Sequence, residues 1–120
     1  MKRLILMSIA LLLLTACGRN ENISEGMEKD TEQVLALIEE AAEEKRESTL
    51  DEWDTLIEYN VKYEGMKERE EFKGDEELLY AYVKTIYMLN EDKGTLESVD
   101  DNILTKIEEA RYFMKNGENK

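Results

Sequence analysis

From residue 30 to residue 117, apolar side chains recur about every 3.6 residues in four separate runs, and no proline interrupts the 120-residue chain. Such spacing gathers apolar groups on one side of a helix and leaves the other side to water. The predicted fold class is therefore all-α, a small four-helix bundle.

Each run carries its own boundary signals. The first is expected over Thr31 to Glu47, with Asp30 as N-cap, Gln33 completing a capping box, and Val34, Leu37, Ile38 and Ala41 on the buried side. Glu32, Glu39, Glu40, Glu43 and Glu47 form its acidic, solvated face. Thr49 and Glu52 make a second capping box, opening a helix whose main apolar stripe is Leu50, Trp53, Ile57 and Val61. This helix could run to Phe72, weakened by about 1 kcal/mol at Gly65 relative to alanine. Gly74 and Asp75 stop it and cap the third helix, expected over Glu76 to Glu91 with Leu78, Leu79, Tyr82, Val83, Ile86 and Leu89 buried. Gly94 ends that helix. Thr95 or Ser98 caps the fourth, which carries Leu96, Val99, Ile103, Ile107, Ala110 and Met114 and stops at Gly117.

The segment from Asp30 aligns with that from Asp75, and the segment from Thr49 with that from Thr95. The offset is 45 to 46 residues, as two tandem αα-hairpins would give. The matching positions are of capping and core types that any two helices share, so coincidence explains the similarity as well as duplication does.

The N-terminus is of another kind. Lys2 and Arg3 precede an apolar run from Leu4 to Leu14, broken only by Ser8, and small residues follow. Charge, apolar core and small residues are the three parts of a secretory signal. The run is shorter than the ~20 residues a membrane span requires. Leu14-Thr15-Ala16-Cys17 resembles the lipobox of bacterial lipoproteins at all four positions. The resemblance implies diacylglyceryl attachment to the Cys17 thiol, cleavage between Ala16 and Cys17, and a mature chain that begins at Cys17. Acylation with two or three chains gives the stable anchoring that one chain does not.

The expected organisation is a cleaved signal peptide over 1–16, a lipidated tether over 17–29, an acidic helical domain over 30–117 and a tail over 118–120. A polar coil of about 12 residues has an r.m.s. reach of roughly 20 Å. The expected location is the extracytoplasmic face of the bacterial cell membrane. Gly18, standing where aspartate would be associated with inner-membrane retention, leaves the outer membrane open in a Gram-negative host.

Cys17 is the sole cysteine. Once it is lipidated, the mature fold has no disulfide or thiolate and must be held by packing. Removing residues 1–16 leaves 14 Lys and Arg against 29 Asp and Glu, a formal charge of −15. That charge argues against nucleic-acid binding and repels an anionic bilayer. The absence of histidine removes the commonest general base and the usual zinc and di-iron ligand sets. No cofactor, metal or enzymatic activity is expected. The loop Asn90 to Thr95 does not meet the calcium-loop pattern, since its Gly falls one position early and the bidentate Glu is missing.

Recognition remains as the expected role. Besides the membrane held through Cys17, the expected partner is a protein or a cationic peptide. The proposed partner surface is Tyr59, Tyr63, Tyr80 and Tyr87, because aromatic residues with polar tips are enriched at interfaces. Equally, these side chains could fill the core of a small bundle. The alternative role is a carrier of a small amphipathic ligand, which needs an apolar cavity of roughly 300 Å³ or more near Trp53, Tyr82 and Ile86.

Overall fold

The computed structural model describes residues 22–93 and 99–117. Four helices occupy them: α1 (Glu25–Glu43), α2 (Leu50–Glu68), α3 (Glu76–Glu91) and α4 (Val99–Asn116). They form the all-α bundle the periodicity predicts, with no strand among the described residues. The signal segment, Cys17, the Gly94 stop, the Thr95 or Ser98 cap, Leu96 and the 118–120 tail lie outside the described residues.

The connections run up, down, up, down. Asn22 and Ser24 meet Lys73 to Glu76 at one end of the bundle, and Arg46 and Ser48 meet Asn90 and Lys93 at the other. α4 packs against α3 and α1, while α2 touches α1 and α3 but not α4. The core is one cluster that includes Leu35, Ile38, Leu56, Leu79, Val83, Ile86, Ile103, Ile107 and Phe113. Val99, Ile103, Ile107, Ala110 and Met114 are buried, as expected for the fourth helix, and the sequence reading omitted Phe113 beside them.

The first helix begins earlier than predicted. Ser24, not Asp30, is the N-cap of α1, and its hydroxyl accepts from the Met27 N–H at 3.3 Å. Ile23 and Met27, expected in the tether, are core residues. Met27 stands seven residues before Val34 and Ile23 four before Met27, in phase with the Val34–Ile38–Ala41 stripe, but the polar residues around them mask that continuation in the sequence. The same end is closed by Gly74, whose φ of +51° lets it sit where a Cβ would come 2.6 Å from the Cβ of Asn22. Backbone Asp75 N–H donates to the Asn22 carbonyl across this contact at 3.3 Å.

Asp30 thus lies inside α1, whereas Asp75 stands at the N-cap position of α3 without a side-chain cap bond. The 45-residue offset therefore pairs positions that play different parts, and the helix starts, Glu25 and Glu76, do not follow it.

Helices α1 and α2 end earlier than predicted, at Glu43 and Glu68, for one shared reason. Lys45 (φ 53°) and Glu70 (φ 54°) adopt left-handed backbone just past the caps. Arg46 N–H then reaches back to the Ala41 carbonyl and Glu71 N–H to the Met66 carbonyl, which closes each helix in a Schellman motif without glycine. The Thr49 capping box forms as predicted, with Glu52 N–H donating to Thr49 Oγ1 at 3.2 Å and Thr49 N–H to Glu52 at 2.8 Å.

Two buried faces are rotated from prediction. In α3, Leu78 is 52 % exposed and Tyr80 only 1 %. In α2 the expected stripe points outward: Leu50 is 84 %, Ile57 47 % and Val61 66 % exposed, while Leu56, Tyr59 and Tyr63 are buried. Both rotations have one cause. A tyrosine can bury its ring and still satisfy its hydroxyl at the edge of the core, so the α1–α2–α3 seam is built from tyrosines and the aliphatic residues are left outside.

Candidate interaction site

Three of the four tyrosines proposed as a partner surface, Tyr59, Tyr63 and Tyr80, are interior. Tyr59 and Tyr63 pack with ring centroids 4.6 Å apart, Phe72 stacks on Tyr63 at 6.3 Å, and Tyr80 closes the group 5.9 Å from Phe72. Each hydroxyl has a partner: Thr31 for Tyr59 at 2.7 Å, Asp30 for Tyr63 at 2.6 Å, and both Asn60 and Glu64 for Tyr80 at 2.7 Å. Tyr87 is half-buried, edge-on to Trp53 with centroids 5.4 Å apart. The four therefore form no contiguous exposed cluster, and the surface expected from them is corrected to a structural seam.

The electrostatics fit that assignment. Burial raises the ionisation of Tyr59, Tyr63 and Tyr80 above the ordinary tyrosine value, and the facing carboxylates of Asp30 and Glu64 push Tyr63 and Tyr80 further up. Burial alone would also raise Asp30, but hydrogen bonds from Lys62 and Tyr63 outweigh it and hold the carboxyl below its usual range. These groups lock helices together. Part of the acidic face predicted for α1 does the same, since Glu32 and Glu39 clasp Arg111 of α4 at 2.7 and 2.6 Å.

The face α2 leaves outside is where the chain has apolar surface to spare. Leu50, Ile57 and Val61 stand at i, i+7 and i+11, on one side of the helix over a length of about 16 Å. Only three residues of α2 are buried, the fewest of the four helices. Trp53, the sole tryptophan, is half-buried between this stripe and Tyr87. The footing beneath is firm: Tyr80 ties α3 to Asn60 and Glu64, and Lys84 lies 3.5 Å from Glu64. Alongside the apolar row runs a second one. Asp51, Asp54 and Glu58, at i, i+3 and i+7, are exposed on the adjoining face of the same helix.

Sequence reasoning named the residues of this stripe but assigned them to the core. The signal that could have corrected it was the surplus: α2 is apolar on two faces, and a helix at the edge of a four-helix bundle buries one.

A cleft of about 200 Å³ opens between α1 and α2, beyond the acidic row with which it shares Glu58, lined by Asp30, Gln33, Val34, Thr55, Glu58, Tyr59 and Lys62. It is mostly polar. The place where a carrier cavity was expected is filled, with Ile86 fully buried, Trp53 against Tyr87, and Tyr82 against Phe113 at 5.3 Å. No helix among the described residues is long and apolar enough to cross a membrane, and none of their His, Cys, Asp and Glu residues form a group of three or more placed to hold a metal ion. Neither a protein-family model, a curated protein nor a solved structure matches the chain.

Proposed function

We propose that this chain is a lipid-anchored protein of the bacterial cell envelope that holds another protein at the extracytoplasmic membrane surface, with the outer face of α2 as its docking site. The observation that carries the reading is the row Leu50, Ile57 and Val61, left exposed on a helix whose opposite face is locked into the core. A row of large apolar side chains on a rigid support is what helix-in-groove and helix-on-helix recognition use. The role is one of binding, and it needs no catalytic group.

The anchor half of the reading rests on Leu14-Thr15-Ala16-Cys17. Four residues lie between Cys17 and Asn22, the first described residue and one tied into the bundle through its carbonyl, so a leash of five Cα-to-Cα steps extends to at most ~18 Å. That is shorter than the tether predicted from composition, and it keeps the Asn22 end of the bundle close to the bilayer. The carrier reading has no comparable support, because the cleft beside Asp30 is smaller than an amphipathic ligand needs and largely polar.

Position-specific photo-crosslinking in intact cells tests both halves. A photoreactive residue at Val61 should give a discrete crosslinked product in the membrane fraction. The same group at Ala81, on the exposed side of α3, should give none. Adding Cys17→Ser should move the chain out of the membrane fraction. No product at position 61 would overturn the docking reading, and unchanged membrane fractionation of the Cys17→Ser chain would overturn the anchor.

A further inference from the structure

We infer that the partner seated on α2 is a cationic amphipathic helix, its apolar side on Leu50, Ile57 and Val61 and its basic side against Asp51, Asp54 and Glu58. The inference rests on the docking reading above and adds the chemistry of the occupant. Two parallel rows on one helix, one apolar and one acidic, are complementary to a helix with an apolar seam and a basic edge. The apolar row spans about 16 Å, three helical turns, and the acidic row about 10 Å within that length, so a partner segment of roughly 11 residues covers both.

The other candidate occupants fit less well. A second copy brings the same acidic row and another formal charge of −15, with no complementary basic row on its own α2 stripe. An anionic lipid surface meets the Asp51, Asp54 and Glu58 carboxylates before the apolar side chains can insert. A neutral apolar helix would satisfy Leu50, Ile57 and Val61 but leave the acidic row facing it without compensation. A cationic amphipathic helix answers both rows, and the acidic field of the whole body draws it in.

Trp53 gives the interaction its own reporter. Because it lies beside the stripe and is the sole tryptophan, docking of a tryptophan-free peptide should change its emission. The core described above closes within residues 22–117, so the mature chain from residue 17 with Cys17→Ser retains every contact the bundle needs. The probe is an 18-residue amphipathic helix of leucine and lysine, compared with a counterpart in which every lysine is glutamate. The lysine peptide should bind one to one, shift Trp53 emission, and weaken as salt rises. The glutamate peptide should not bind.

Leu50→Gln and Val61→Gln change no charge and remove only apolar contact. Each should weaken binding about tenfold. Both side chains are largely exposed, so the variants should melt like the parent. The double variant Asp54→Asn, Glu58→Gln should weaken binding and flatten its salt dependence. Binding that survives Leu50→Gln and Val61→Gln unchanged would mean general adhesion to an acidic body and would overturn the inference, as would equal binding of the glutamate peptide. A crosslinked product at position 61 in cells, together with no binding of the lysine peptide, would remove this occupant and leave the docking reading standing.

Discussion

Glu76 is the residue on which the closing of the bundle turns. It is 2 % exposed, and its carboxylate accepts the backbone N–H of Lys73 at 2.7 Å and of Ser24 at 2.9 Å. It thereby caps the turn before α3 and holds the entry to α1, two segments about fifty residues apart. Burial would raise its pKa, yet the two N–H donors outweigh that and hold it below the ordinary glutamate value of 4.5. The stability it contributes is complete above that value and drains away as pH falls through the lower folded-state value. Glu76→Gln, which turns one acceptor into a donor facing an N–H, should cost about 1 to 3 kcal/mol in urea unfolding at pH 7. The gap between variant and parent should narrow at pH 3. A gap unchanged by acid would show that the ionised carboxylate is not what holds the two segments. Sequence marked this position as the first residue of a helix, which it is, but its partner at Ser24 depends on a chain path that no local pattern encodes.

At the level of the element, helix existence was legible, and so were the start of α2, both ends of α3 and the end of α4, whereas the start of α1 and the ends of α1 and α2 were not. The Thr49 box is a local motif, complete within four residues, and it forms where the sequence placed it. Gly117 ends α4 as expected, with φ +79° and its N–H on the Phe113 carbonyl at 2.8 Å. The α1 and α2 ends were misplaced because Lys45 and Glu70 take the left-handed position that glycine usually fills. Left-handed backbone costs a residue with a Cβ roughly 1 to 2 kcal/mol, part of which glycine returns through the entropy of its unfolded chain. Lys45→Gly and Glu70→Gly should therefore each stabilise the bundle by about 0.5 to 1 kcal/mol, read as a rise in melting temperature. A fall at either site would mean that its side chain makes contacts outweighing the backbone strain. The face of α2 was misassigned on different grounds. Its two apolar sides are equally helical in period, and only the position of α2 at the edge of the bundle, away from α4, decides which side is buried.

For the whole molecule, the seam of tyrosines joins stability to alkaline pH. Tyr59, Tyr63 and Tyr80 are each pushed above the ordinary value of 10.0, first by burial. An acid whose folded-state pKa is raised favours the fold fully below its unfolded value and loses that contribution as pH rises past it. Ionisation of these three, followed by tyrosinate absorbance, should coincide with loss of helical circular dichroism above pH 10. If all six tyrosines titrate while the helices persist, the seam is open to solvent and the interior assignment fails. Neighbouring residues settle some properties among themselves, and these were legible without coordinates: the all-α class, four helices, the Thr49 cap, and the lipobox-like Leu14 to Cys17 pattern on which the anchor proposal rests. Packing between the helices decided that Ile23 lies in the core, that Tyr59, Tyr63 and Tyr80 face inward, and that Leu50, Ile57 and Val61 face outward. The reason is that periodicity ranks the faces of a helix only when one of them is polar, and α2 has two that are not. Which of the two goes inside is set by what the other helices bring to meet it: the hydroxyl partners Thr31 and Asp30 on α1, and Tyr80 on α3 reaching across to Asn60 and Glu64.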